Sequence, residues 1–187
     1  MKPVLVVAIV IACACATQTA SNSQPSSSNA VSGGSGGSGA AATIEGRSGS
    51  TLTGTARFTS AGGGVMAHIE LQGATPGEHG LHVHEKGDCS DPKAASAGGH
   101  FNPGAAAHHG GLETPVRHGG DLGNIAVDQS GKGTLDVTVR GISLDGASDG
   151  IVNRALVVHE KIDDLKSDPA GNSGARIGCG VIRAGDR

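Results

Sequence analysis

Tryptophan and tyrosine are absent from this 187-residue chain, and phenylalanine occurs only at Phe58 and Phe101. Aromatic stacking platforms are therefore excluded. With 14 Lys and Arg against 17 Asp and Glu, and no basic cluster, no nucleic-acid partner is expected. No apolar run is long enough to cross a bilayer as a helix. Beyond the first residues nothing keeps a helical apolar period for ten positions, which excludes a helix bundle. A core in such a chain must be packed by Val, Ile, Leu and Ala, and it calls for additional fastening.

What is present begins with one early cation, Lys2, followed by PVLVVAIVIA, the pattern of an export leader. Its end reads in two ways. Val10-Ile11-Ala12-Cys13 resembles a lipobox, which would make a lipidated Cys13 the mature N-terminus and the only route to a membrane. Ala14-Cys15-Ala16 is an A-x-A-like cleavage site that would release a soluble protein. A misplaced start that truncates a longer leader is a third reading. All three imply export, to the periplasm or to a membrane-anchored position facing the periplasm or the exterior. Residues 1–16 form the expected leader. Residues 17–42, uncharged and containing SGGSGGSG, form the expected flexible tether, and residues 43–187 the domain. Ile44-Glu45-Gly46-Arg47 could pass for an engineered protease site, but it opens an alternating segment and reads as a native first strand.

Within the domain, short alternating or β-branched runs recur between Gly-rich breaks, near 42–45 and at 51–58, 65–71, 80–85, 122–127, 133–139, 154–159 and 177–182. This spacing predicts an all-β, eight-stranded antiparallel sandwich or flattened barrel. Two long loops, 86–121 and 161–176, interrupt it. Loops of that length without elements of their own are usually functional or disordered.

The histidines gather around these loops. His82 and His84, in GLHVHEKGD, sit two apart on an expected strand, so their side chains leave one face about 6.6 Å apart. With His100 of GGHFNP and His159 of LVVHEK they make four imidazoles, a set suited to copper. His109, His118 and Asp121, again with His100, make three nitrogens and a carboxylate, suited to zinc. Two plainer readings stand beside this one. A strand pair such as His82 and His84 can simply be exposed or cross-strand, and an HxxD spacing alone is weak. His100 would have to serve both sets.

GLHVHEKGD, GGHFNP, HHGGLETPVRHGGDLGN, ALVVHEKIDDL and GNSGARIGCGVI occur here in the order found in copper/zinc superoxide dismutases, and the chain resembles that family from about Ile44 to Ile182. The resemblance implies a Greek-key β fold and dismutation of superoxide to oxygen and hydrogen peroxide. It implies copper on His82, His84, His100 and His159, zinc on His100, His109, His118 and Asp121, and Asp163 as a carboxylate linking a copper histidine to a zinc histidine. Arg176 would be the cation that attracts superoxide, with Lys161 adding to its field, and His100 the residue that carries a proton. His108 adjoins His109, so the zinc assignment could slip by one; His109, directly before Gly-Gly, is preferred. Cys89 comes earlier in the loop than in animal members, which looks like the bacterial branch, and the loop before Arg176 is short.

Cys89 and Cys179 are the only cysteines beyond the leader, and in an exported protein such a pair is expected to be oxidised. His68 and His79 fall outside the set and read as a surface strand residue and a loop residue. Two other functions compete: a non-catalytic copper/zinc storage or delivery module, and an adhesion sandwich with a structural zinc. A storage module has no need of Arg176, and a structural zinc leaves His82, His84 and His159 unexplained. Whether the protein is a monomer or a homodimer stays open.

Overall fold

The structure, a computed structural model, describes Pro3 and residues 39–146 and 148–185. Apart from Pro3, the expected leader and the tether up to residue 38 lie outside the described residues. Nine strands follow in chain order: β1 (Gly39–Gly46), β2 (Thr53–Ala61), β3 (Gly64–Gln72), β4 (Gly77–His84), β5 (Asp121–Val127), β6 (Gly133–Arg140), β7 (Ala155–His159), β8 (Arg176–Val181) and β9 (Arg183–Ala184). The neighbour order is β2-β3-β6-β5-β4-β7-β8-β1-β9, and β1 also pairs with β2, so the sheet closes on itself. Every strand pairing is antiparallel. The result is an eight-stranded Greek-key barrel to which the two-residue β9 is appended.

Two boundaries differ from expectation. β1 starts at Gly39, because Ala40 and Ala42 are buried and pair with Phe58 and Ala56. A Gly-Ala-Ala-Ala run carries no turn or pattern signal, so it reads as tether in the sequence. The last expected strand divides at Ile182, because β1 pairs with β8 through Glu45 and Gly46 and with β9 through Ala40 and Ala41.

Alternation explains the walls. In β3 the residues Val65, Ala67, Ile69 and Leu71 face inward between exposed neighbours, as a strand with one solvated face requires. β7 breaks this rule, being buried at all five positions, and so does the second half of β4. Leu81, Val83, Leu156 and Val158 join the main core inside the barrel. Ala155, Val157 and Cys179 on the outer side pack instead with Ala94 and Ala97 of the long loop and with Cys89, in a small second core. The Cys89–Cys179 disulfide crosses this outer layer and spans 90 residues of chain. Each fully buried Leu or Ile contributes roughly 1.5–3 kcal/mol, so aliphatic side chains alone can build the barrel. The outer layer, three alanines and a valine beside the disulfide, has much less apolar area to offer.

That contrast generates a prediction. Replacing Cys89 and Cys179 together by Ser should lower the urea-unfolding free energy by about 4–5 kcal/mol, the chain-entropy value for a loop of this length. An unchanged urea midpoint would mean that other contacts hold the loop.

Candidate metal centre

Sheet register assembles the histidines. His82 stands opposite Asp121 of β5 and Val157 of β7, and His84 stands opposite Ala155 and, through an isolated bridge, His100. His159 ends β7 on the same outer side. β-bulges between Leu81 and His82 and between Val158 and His159 re-aim the side chains there. Ring centroids of His82 and His100 lie 3.9 Å apart, those of His82 and His159 4.7 Å, and those of His84 and His100 5.0 Å. One nitrogen from each of His82, His84, His100 and His159 falls within 4.8 Å of the others.

In six imidazoles one ring nitrogen is buried without a hydrogen-bond partner: Nδ1 of His82, His109 and His118, and Nε2 of His84, His100 and His159. Burying an unpaired polar atom is costly, and six gathered in one place need a common explanation. The opposite nitrogens supply it. His82 Nε2 and His109 Nε2 each donate to Asp163, at 2.8 Å, through its two separate oxygens. His84 Nδ1 donates to the Gly98 carbonyl at 2.9 Å, and His159 Nδ1 faces the Gly174 carbonyl at 3.4 Å. Fixing the proton on one nitrogen leaves the lone pair of the other aimed at a shared point, which is how a metal-binding imidazole is prepared.

The second set converges on Asp121. Its Oδ1 lies 2.8 Å from His100 Nδ1, 3.0 Å from His109 Nδ1 and 3.6 Å from His118 Nδ1. Ligands about 2.0–2.1 Å from a tetrahedral metal are separated by about 3.3 Å, so these spacings fit a zinc-sized ion. His82 also comes within 4.8 Å of His100, His109 and Asp121. His118 is not within that 4.8 Å group, but its orphaned Nδ1 lies 3.6 Å from Asp121 Oδ1. His100 contributes a nitrogen to each set.

Charge is partitioned between the two sets. Burial pushes the His82 pKa down to about 4, His159 to about 3 and His84 to about 2, so all three are neutral donors at physiological pH. Burial also opposes charge on His109, but its bond to Asp163 and the Asp121 carboxylate beside its Nδ1 outweigh this and raise it to about 9. Burial alone would raise Asp121 and Asp163; the bond from His100 and the adjacent His109 ring at the first, and bonds from His109 and His82 to the second, hold both carboxyls well below the usual range. Neutral imidazoles on one side and ionised carboxylate on the other match a copper set and a zinc set.

Above the imidazoles an open cleft of about 580 Å³ is lined by Ser48, Lys93, Gly98, Gly99, Gly174 and Arg176. The Arg176 guanidinium is half-buried and donates to the Ala94 carbonyl at 2.7 Å. A larger hollow, about 700 Å³, lies beside β6 between residues such as Pro115, Arg117 and Arg140.

Known proteins agree with this geometry. The family Copper/zinc superoxide dismutase (SODC) matches residues 52–182. The chain belongs to that family. It is 40% identical to the Superoxide dismutase (Cu-Zn) of Deinococcus radiodurans over 143 residues, covering 71% of this chain and 78% of that protein. It is 39% identical to the protein of that name in Caulobacter vibrioides over 152 residues (77% and 85%), and 42% identical to that of Paramecium bursaria Chlorella virus 1 over 150 residues (76% of each). A crystal structure of the clock protein EA4 superposes with a TM-score of 0.70 at 42% identity, covering 81% of this chain and 97% of that one. Copper and zinc are the metals of this superoxide dismutase family, and the two donor sets fit them.

Several residues stand elsewhere than expected. His79 is not in a loop: it is buried in β4, with Nδ1 2.8 Å from the His159 carbonyl and Nε2 2.8 Å from the Thr75 carbonyl. The Gly-Glu-His-Gly run reads as a turn, yet the pairing of β4 with β5 carries back through it, His79 standing opposite Ile125. His68 does lie on the surface of β3, 2.7 Å from Asp136. His108 is exposed and turned to Asp168 at 2.6 Å, while His109 is buried among the other candidate ligands. Lys161 is absent from the lining of the cleft, where Lys93 stands instead. Sequence reading also passed over Asp168, whose Oδ1 accepts the His109 amide, and Asn124, which bonds both backbone groups of Asp163. DLGN and KSDP gave no spacing signal for either.

The protonation pattern predicts a pH profile for the metal-free protein. His82, His84 and His159 titrate lower in the folded chain than at the ordinary 6.5, so stability falls as pH drops from 6.5 toward 4, where only the unfolded chain takes up these protons. His109 titrates higher when folded; its contribution is complete below 6.5 and is lost as pH rises through about 9. Urea midpoints of the metal-free protein should therefore be highest near pH 6.5 and lower at both extremes. A profile flat between these pH values would contradict the assignment.

Proposed function

We propose that His82, His84, His100 and His159 hold the copper, and His100, His109, His118 and Asp121 the zinc, with which this member of the family dismutates superoxide. The observation that carries this reading is the set of six buried, unpartnered imidazole nitrogens, five of them aimed by hydrogen bonds on the opposite nitrogen or by the Asp121 carboxylate. Bound copper would supply the one-electron exchange that takes one superoxide to oxygen and a second, with two protons, to hydrogen peroxide, while zinc would order the loop without redox change.

The protein's own groups do the rest. Arg176 gives the mouth of the cleft a fixed positive charge in a chain whose formal net charge is −3, so the field there is inverted locally and draws in a small anion. Its donors position that anion for the imidazole set below. His100 presents Nδ1 to Asp121 and Nε2 to the other imidazoles, which makes it the group able to hold and release a proton at Nε2 beside the reduced oxygen. Asp163 acts by positioning, since it fixes the rings of His82 and His109 together.

Export of the chain is part of the same reading. Its support is the apolar leader and a disulfide of the kind that persists in oxidising compartments. The mature protein begins either at a lipid-modified Cys13 or, after cleavage behind Ala16, at Thr17. Mass spectrometry of protein from an exporting host should give one of these N-termini; an intact leader would overturn export.

Three variants test the site. Arg176→Ala should keep both metals and lose about tenfold in kcat/KM, with weaker dependence on ionic strength. His84→Ala should lose copper and activity while keeping zinc. Asp163→Ala should weaken binding of both metals by about 10–100-fold. A storage module would bind copper with no catalysis, and Arg176→Ala would change nothing.

A further inference from the structure

The turn after β1 reaches the cleft from outside the stretch, 52–182, that matches the family. Arg47 and Ser48 make hydrogen bonds in two directions there. Toward β8, the Arg47 amide donates to the Ile177 carbonyl at 2.8 Å, and the Ser48 hydroxyl donates to the Arg176 carbonyl at 2.9 Å. Toward the disulfide loop, Arg47 Nε donates to the Cys89 carbonyl at 2.9 Å, and the Ser48 amide donates to the Pro92 carbonyl at 2.8 Å. Arg47 Nη1 donates to the Gly46 carbonyl at 2.8 Å, which fixes the fork in place.

Arg176 is suspended between the same two bodies. Its backbone belongs to β8, and its guanidinium donates to the carbonyl of Ala94, in the disulfide loop. Ala94 is fully buried at φ 55°, with its amide bonded to the Asp91 carbonyl, so that acceptor moves only if the loop moves. The distance between β8 and the loop therefore sets where the guanidinium points. The disulfide joins them at one place, and Arg47 with Ser48 joins them at a second. Ser48 itself is held at φ 55°, a left-handed conformation uncommon for a side-chain-bearing residue.

We propose that Arg47 and Ser48 are positioning residues for Arg176: they bracket β8 to the disulfide loop and so orient the guanidinium over the cleft. This rests on the reading of Arg176 as the anion guide. Arginine suits the role because its planar fork bonds two carbonyls in fixed geometry, which lysine cannot imitate.

The test is azide affinity, followed by the visible copper spectrum of fully metallated, disulfide-intact protein, so that only folded molecules report. Arg47→Lys, Arg47→Ala and Ser48→Gly should each weaken azide binding by about threefold to tenfold, the range for one or two lost hydrogen bonds. Ser48→Gly removes the hydroxyl while relieving the left-handed backbone, so folding is spared. Arg176→Ala should weaken azide at least as much, and adding Arg47→Ala to it should cost nothing further. Additive losses would overturn the bracket, as would wild-type affinity in Arg47→Lys, which would leave only a charge effect. A lower melting temperature with unaltered azide affinity would also overturn it, reducing the turn to a stabilising clasp. If Arg176→Ala weakens azide and the Arg47 and Ser48 variants do not, the bracket fails alone; if Arg176→Ala is itself silent, the anion-guide reading fails.

Discussion

Everything at this centre depends on one wall of the barrel being buried on both faces. Period-two geometry sends Leu81 and Val83 into the barrel core and leaves His82 and His84 facing the other way. Were that outer face solvated, the imidazoles would be ordinary surface histidines. Covering it requires the two long loops, and those loops carry the partners that make burial tolerable: His100, His109, His118, Asp163 and the carbonyls of Gly98 and Gly174. Loop folding and site assembly are thus the same event.

The cover is tolerable because charge and protons are distributed without conflict. Asp163 satisfies two imidazole N–H groups with two oxygens, accepts the Leu165 amide as well, and is held by Asn124 at its own backbone. Asp121 accepts from the imidazole side and from the Gly110 amide. A buried carboxylate with so many donors stays ionised, and its charge is what a dication would balance. The neutral His82, His84 and His159 stand where a cation on the ring would meet Arg176 or a neighbouring imidazole.

Much of this was legible in the residues. Strand number, the two long loops and the pairing of His82 with His84 follow from alternation and spacing, which are local properties, whereas joining His100 and His159 to them rests on the family resemblance of GGHFNP and ALVVHEKIDDL. The choice of His109 over His108 needed tertiary geometry, because adjacent residues in a loop have no period to separate them. His79 was misread for the opposite reason: its flanking glycines imitate a turn while the strand register continues through them. Arg47, Asn124 and Asp168 carry no signal in the sequence because each bonds a backbone carbonyl or amide of a distant segment, and such a bond imposes no residue type on its partner. The beginning of β1 was missed because alanine is neutral to every pattern used to find strands.

The poverty of aromatic residues has a chemical consequence at a centre that releases peroxide. Side chains most readily attacked by oxidants are thiols, thioethers, indoles and phenols. This chain has no indole or phenol, and its two domain cysteines are already joined. Met66, the one methionine beyond Met1, lies on the solvent side of β3, where a sulfoxide would disturb no packing. An interior of valine, isoleucine, leucine and alanine with two phenylalanines leaves a diffusing oxidant little to react with except the imidazoles of the centre itself.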